Sequence, residues 1–352
     1  MENRTIAALL VSTMLFGGCA VENEDKVDKL FSDYSGIGMP GAAVLVVRDG
    51  QPVLTRVYGL ADVASNVAIT ADTNFRLASL TKQFTAMCVL MLVDRGKLTL
   101  EHRITDVFAD FPEYGRNVSI RNLLQHTSGL IDYEDFVPED SPVQVTDSGV
   151  LDIMRQQDTL YFEPGTQYRY SNSGYAVLAM MVEKVSGQPF AGFLHANIFQ
   201  PLGMNTTVAY QDGISVVSNR AYGYTVDESG VSGSDQSPWS AVLGDGGIYS
   251  SLNDLFKWDQ ALYTERLIPA GLFEQALTPN LEDYGFGWRI DDFHGYRRMH
   301  HSGSTSGFRN FIQRFPEQRL TVIALTNRRD PEVDPLAESV ARLYLGSGEI
   351  RN

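Results

Sequence analysis

Cysteine is scarce in this chain: two in 352 residues leave no room for a disulfide framework. Histidine is scarce too. Of six, none has metal-ligand spacing, and the adjacent pair His300-His301 would point to opposite faces of a strand. Basic residues number 28 against 43 acidic ones, a formal charge of -15, and no Lys/Arg run occurs. Nucleic acid and anionic membrane surfaces both require basic patches, so neither is expected as a partner. No phosphate-binding glycine loop, low-complexity tract or internal repeat is found, and no metal and no cofactor are predicted. What remains is a chain 43% hydrophobic and 20% charged, globular and long enough for one large domain or two ordinary ones.

The longest apolar run near the start, Ile6 to Phe16, follows Arg4 and leads through Gly17 and Gly18 to Cys19. It is too short to stay in a bilayer as a spanning helix. It reads as an export signal over residues 1–18, resembling a bacterial lipoprotein signal whose Cys19 is lipidated; a plain secretory signal with a chance cysteine is the alternative. Residues 19–26 would then tether an exported domain to the periplasmic side of the cell envelope, touching membrane only through the lipid. The other cysteine, Cys88, sits among Ala86, Met87, Val89 and Leu90 and reads as a small buried hydrophobe.

Val27, Leu30, Phe31 and Tyr34 recur at helical spacing. Ala43 to Val47 and Val53 to Tyr58, joined by Asp49-Gly50, read as a hairpin. A long helix runs from Ser79 to about Asp94, and helical patterns dominate to about residue 240. Strands return at Tyr284–Ile290, Tyr296–His300, Phe308–Phe315 and Leu320–Leu325 before a last helix at 333–345. Strands at both ends around a helical middle predict an α+β fold. One antiparallel sheet domain (27–78 and 240–352) would carry an inserted, mainly helical domain (79–239), with the site in the cleft between them.

Three short motifs carry the chemistry. In Ser79-Leu80-Thr81-Lys82, hydroxyl and amine lie one helical turn apart on the same face, so the amine can take the hydroxyl's proton. Desolvation in an apolar helix favours the neutral amine that a base needs. In Tyr170-Ser171-Asn172, a turn before a helix can present a phenol for proton exchange and an amide to orient a carbonyl or the lysine. In His301-Ser302-Gly303-Ser304, Gly303 would let a ligand approach the backbone, and the Ser304 N–H could join that of Ser79 in holding an oxyanion. The stretch Gly303 to Gly307 has threonine at its centre and does not satisfy the G-x-S-x-G pattern.

Together these motifs resemble the class C beta-lactamase and penicillin-binding-protein-like serine hydrolases, with their beta-lactamase/transpeptidase-like fold. Leu123-Leu124-Gln125-His126-Thr127-Ser128-Gly129-Leu130, Pro164-Gly165-Thr166, Gly246-Gly247 and Tyr284-Gly285-Phe286-Gly287-Trp288 extend the likeness over about residues 27 to 345. The resemblance implies Ser79 as acylated nucleophile, Lys82 as proton acceptor and Tyr170 as proton relay. It also implies Asn172, His301, Gly303 and Ser304 as substrate-binding residues. Where true beta-lactamases carry K-T-G, this chain has His301, which weakens electrostatic capture of a carboxylate. The reading is therefore an acyl-enzyme hydrolase of a small ester or D-amino-acid amide or peptide. A beta-lactamase and a silent penicillin or cell-wall-peptide binder are the alternatives.

Overall fold

The computed structural model describes residues 22–346; the predicted export signal and Cys19 lie outside them. Residues 22–30 are helical, and the chain then enters strands β1 (Ala42–Arg48) and β2 (Gln51–Tyr58). Four more strands follow near the other end: β3 (Arg289–Phe293), β4 (Tyr296–Thr305), β5 (Phe308–Phe315) and β6 (Leu320–Thr326). They form one antiparallel sheet of six strands in the order β3-β4-β5-β6-β1-β2. Its closing pair is β1 with β6, in register from Ala42 opposite Thr326 to Arg48 opposite Leu320. The two ends of the chain therefore share a sheet, as the sequence pattern predicts.

The period of two in a strand divides its side chains between two cores. On β1, Ala43, Leu45 and Val47 enter the larger core, while Ala42, Val44 and Val46 enter a smaller one on the other face. The smaller core is closed by Val27, Phe31 and Tyr34 from the start of the chain and by Ala337, Val340 and Ala341 from the last helix. A strand covered on both faces reads as a continuous apolar run, as β1 and β6 do.

The larger core is filled by helices α1 (Lys82–Asp94) and α2 (Asn172–Ser186). Every residue of α1 from Lys82 to Leu92 is buried, which makes it a central helix and not an amphipathic one. Cys88 lies within it at 0% exposure, and burial pushes its thiol well up, so it is an inert packing residue.

Two features were not legible in the pattern. Phe75–Arg76, Ile248–Ser250 and Val208–Ala209 form a separate three-stranded sheet with Ile248–Ser250 at its centre. Its strands are two or three residues long, below the length at which alternation can be read. The strand expected from Tyr284 begins only at Arg289, because Tyr284–Trp288 folds back on itself through the bond from Gly285 N to Trp288 O. Gly287, at φ +74°, lies where a Cβ would meet Lys82 O at 2.7 Å. The segment thus packs against the start of α1 instead of extending the sheet.

Candidate active site

The Phe75–Arg76 strand, anchored by Leu77 N bonding to Ile248 O at 2.8 Å, delivers the chain into a tight helical turn, Ala78–Thr81, that runs directly into α1. Ala78 takes a left-handed φ of +51°. That conformation costs an L-residue about 1–2 kcal/mol and marks strain beside the nucleophile. Ser79 is the second residue of the turn, so its amide has no acceptor within the helix and is free for a ligand. Its side chain lines a cleft with Ala78, Tyr133, Glu134, Asn172, Asp245 and Ser304.

Lys82 is completely buried, and its Nζ makes three hydrogen bonds: Ser79 Oγ at 3.1 Å, Asn172 Oδ1 at 2.8 Å and Asp245 O at 2.9 Å. The amide oxygen and the carbonyl can only accept, so they commit two of the amine's N–H groups. The position facing Ser79 holds the third proton when the amine is charged and the lone pair when it is neutral. Ser79 is therefore the one partner of the three with which Lys82 can exchange a proton.

The acceptors are themselves fixed. Asn172 opens α2, with Ser171 as the cap accepting from Gly174 N at 3.1 Å, and its Nδ2 donates to Glu134 Oε1 at 2.9 Å. Asp245 belongs to the short helical turn Leu243–Gly246, whose Leu243 and Gly244 amides donate to the two carboxylate oxygens of buried Asp147. Thr85, one turn beyond Lys82, donates to Gly244 O at 2.7 Å. Lysine and threonine on one face of α1 thus grip consecutive carbonyls.

Tyr170 brings its ring to 4.9 Å from Lys82 Nζ, and its phenol oxygen is buried with no hydrogen-bond partner among the described residues. The phenol therefore sits unpaired beside the nucleophile's base. His126 backs the ring at 4.2 Å between centroids and accepts from Ser171 N at 3.0 Å, which fixes the Tyr170–Asn172 corner. Its own φ of +56° is left-handed. Burial, then the Lys82 charge, hold the His126 imidazole well below its ordinary value, so it stays neutral.

The third motif differs from the sequence reading in two ways. His301 is 3% exposed and stands behind Tyr170, away from the residues that line the cleft. Its Nδ1–H donates to Ser302 O at 2.6 Å and its Nε2 accepts from Tyr284 Oη at 2.9 Å, so both nitrogens are engaged. Burial, followed by the Lys82 charge, lowers it to about 3. It is a neutral support for the tyrosines, placed where it cannot reach a substrate directly. Gly303 does permit close approach, but by protein: a Cβ there would lie 2.2 Å from Leu77 O and 3.0 Å from Leu80 Cδ1. Strand β3 pairs with β4 only over residues 296–300. The free edge of β4 beyond them lies against the nucleophile turn, which leaves Ser304 exposed in the cleft.

Sequence reasoning missed Glu134, Asp245, Arg76, Tyr133, Trp239 and Tyr284. Asp245 had a signal, a carboxylate inside the glycine-rich Gly244-Asp245-Gly246-Gly247. It is 7% exposed, and burial pushes its carboxyl up to about 6 against the pull of Lys82. Glu134 had none. It is exposed, yet desolvation within the cleft raises its carboxyl, opposed by the Asn172 bond.

The beta-lactamase family profile matches residues 27–346. A penicillin-binding protein of Bacillus subtilis (strain 168) is 34% identical over 308 residues, covering 82% of this chain and 68% of that protein. A D-aminopeptidase of Brucella melitensis biotype 1 is 30% identical over 315 residues, covering 84% of this chain; the chain spans 57% of that relative's length. Among solved structures, the octameric penicillin-binding protein homologue from Pyrococcus abyssi superposes with a TM-score of 0.79 at 25% identity, over 96% of this chain and 78% of that one. Matched by the family profile along nearly the whole described length, and 34% identical to a relative across 82% of its own residues, the chain belongs to the beta-lactamase family.

Proposed function

We propose that the chain is a serine hydrolase that forms an acyl-enzyme at Ser79 and acts on D-amino-acid amides or short peptides, with esters as simpler substrates. The observation that carries this is the Lys82 amine, held 3.1 Å from Ser79 Oγ by two oxygens that can only accept. In the forward step Ser79 Oγ attacks the substrate carbonyl carbon as its proton passes to Lys82 Nζ. The carbonyl oxygen takes negative charge beside the Ser79 and Ser304 amides. The C–N or C–O bond then breaks, and the leaving group departs with a proton relayed through the Tyr170 phenol. Water reverses the sequence at the acyl carbon and restores Ser79.

Glu134 supports the choice of D-amino-acid derivatives. Its carboxylate lines the cleft on the Asn172 side and would meet an α-ammonium group, a feature of aminopeptidase and amidase substrates that a penicillin nucleus lacks. The test is turnover of D-alanine p-nitroanilide and p-nitrophenyl acetate by the full chain, with Ser79→Ala as control and intact mass followed in parallel with a penicillin. Ser79-dependent release of nitroaniline is the expected result. A lasting penicillin adduct with no release would instead make it a penicillin-binding site that deacylates slowly. If neither substrate is cleaved and no adduct forms, the hydrolase reading fails.

We further propose an envelope protein anchored by lipid, a reading supported by the apolar run Ile6 to Phe16 followed by Cys19. No helix among the described residues is long and apolar enough to cross a membrane. Labelling with a fatty-acid analogue that is lost in Cys19→Ala would establish the anchor.

A further inference from the structure

Asp245 lines the cleft together with Ser79, Asn172 and Ser304, and a single atom, Lys82 Nζ, joins its backbone carbonyl at 2.9 Å to Ser79 Oγ at 3.1 Å. Tyr133 Oη donates to its Oδ2 at 2.9 Å. Its other oxygen, Oδ1, receives no hydrogen bond from the described residues and is not sealed from solvent, so it opens into the cleft. A carboxylate serving structure alone has both oxygens committed, as Asp147 does to the Leu243 and Gly244 amides. Asp245 keeps one free beside the nucleophile.

The backbone around it is held on every side. The turn Leu243–Gly246 is tied through Asp147 at its first two amides and through Thr85 at the Gly244 carbonyl. A Cβ on Gly246 would lie 3.7 Å from Ala78 C and Cα, so the turn abuts the residue before Ser79. Tyr133, which fixes Oδ2, is anchored in turn by its amide donating to Ser173 Oγ at 2.9 Å. Burial raises the carboxyl, while Lys82, Tyr133 and Arg76 favour its charge and Glu134 and Asp147 oppose it. The balance, about 6, leaves it ionised at neutral pH and able to accept a proton.

We propose that Asp245 is a catalytic residue, the general base that activates water against the acyl-enzyme, while Tyr170 serves the leaving group in the first half-reaction. This rests on the acyl-enzyme reading of Ser79. A water held at Oδ1 attacks the acyl carbon, and one of its protons passes to Oδ1 as the new C–O bond forms. The C–Oγ bond then breaks, that proton is handed on to Ser79 Oγ, and the carboxylic acid leaves with Asp245 again ionised. The Tyr170 phenol oxygen is sealed from solvent, whereas Asp245 Oδ1 is not, which favours the carboxylate for the step that needs water.

Rapid mixing of the full chain with p-nitrophenyl acetate separates the two halves, because a burst of p-nitrophenol reports acylation and the steady rate reports deacylation. Asp245→Asn keeps an oxygen for Tyr133 and removes the base. It is expected to acylate within about threefold of the parent rate, to turn over about 10²-fold more slowly, and to accumulate acetyl-Ser79 in the intact mass. A steady rate within about threefold of the parent, or acylation and turnover falling together with no acetyl-enzyme, overturns the assignment and leaves Asp245 a support for Tyr133. Should the variant fail to fold, the parent decides: decay of acetyl-Ser79 should halve near pH 6 while the burst does not share that inflection. A decay that is flat between about pH 5 and 8, or whose inflection the burst shares, overturns it. Absence of any Ser79-dependent release in the parent overturns the hydrolase reading and this assignment together; with release present, Asp245 stands or falls alone.

Discussion

Gly303→Ala separates two explanations of the third motif. If the glycine exists to let a substrate approach, the added methyl should raise KM and leave kcat and stability alone. The structure gives a different expectation. The new Cβ would lie 2.2 Å from Leu77 O, 3.0 Å from Leu80 Cδ1 and 3.4 Å from Ala78 Cβ. Restoring an ordinary contact of roughly 3.5 Å requires strand and turn to part by about 1 Å. The atom that must give is backbone, two residues from the nucleophile, in a turn already bent through the left-handed Ala78. Overpacking of this kind costs about 1–3 kcal/mol of stability, and a displacement of about 1 Å at a reacting group is worth roughly 10²-fold in rate. The expected result is therefore a kcat about 10²-fold lower with p-nitrophenyl acetate, together with a lower urea midpoint. A variant with wild-type stability, kcat within threefold and only KM raised would refute the argument.

Lys82→Met and Tyr170→Phe should each lower kcat by about 10²-fold or more while the chain still folds, because each removes a positioned proton-transfer group; steady-state rates beside circular dichroism check this. His301→Lys should lower the melting temperature and bring no gain for carboxylate substrates, since the new ammonium would replace the Tyr284 bond and face Lys82 in a buried space; a gain in kcat/KM for an anionic substrate would contradict the placement of His301. Stability against pH has two opposing parts. The carboxyls of Asp147, at about 7, and Asp245, at about 6, are raised by burial from 3.8, so their contribution is complete below 3.8 and is lost progressively as pH rises to about 7 and about 6 respectively. His126 and His301 are held neutral below their ordinary values, so their contribution is complete above about 6.5 and lost as pH falls below it. Asp147→Asn removes one carboxyl part, and its melting temperature should fall more than that of the parent between pH 7.5 and 5; parallel profiles would sink this assignment.

Short-range regularity made much of the molecule legible. The two-residue period and apolar runs of β1, β2, β5 and β6 gave the sheet of both termini, and the serine-lysine spacing placed a hydroxyl and an amine on one face. The strand expected from Tyr284 starts late because Gly287, with its positive φ, turns the chain against α1. Gly303 was recognised as a place of close approach, but the partner is a carbonyl more than two hundred residues earlier.

The sequence by itself determined the alternation, the caps and turns, and the serine, lysine and tyrosine capable of the chemistry, because these depend on neighbours within a few residues. Only the tertiary structure decided their states. That Lys82 spends two protons on Asn172 and Asp245, 90 and 163 residues away, and that His301 faces tyrosines instead of substrate, follow from burial and long-range contacts. So does the burial of Arg76, whose Nη2 reaches Ser240 O 164 residues away. Desolvation and hydrogen-bond completion are properties of the space around a group, and that space exists only once distant segments have packed.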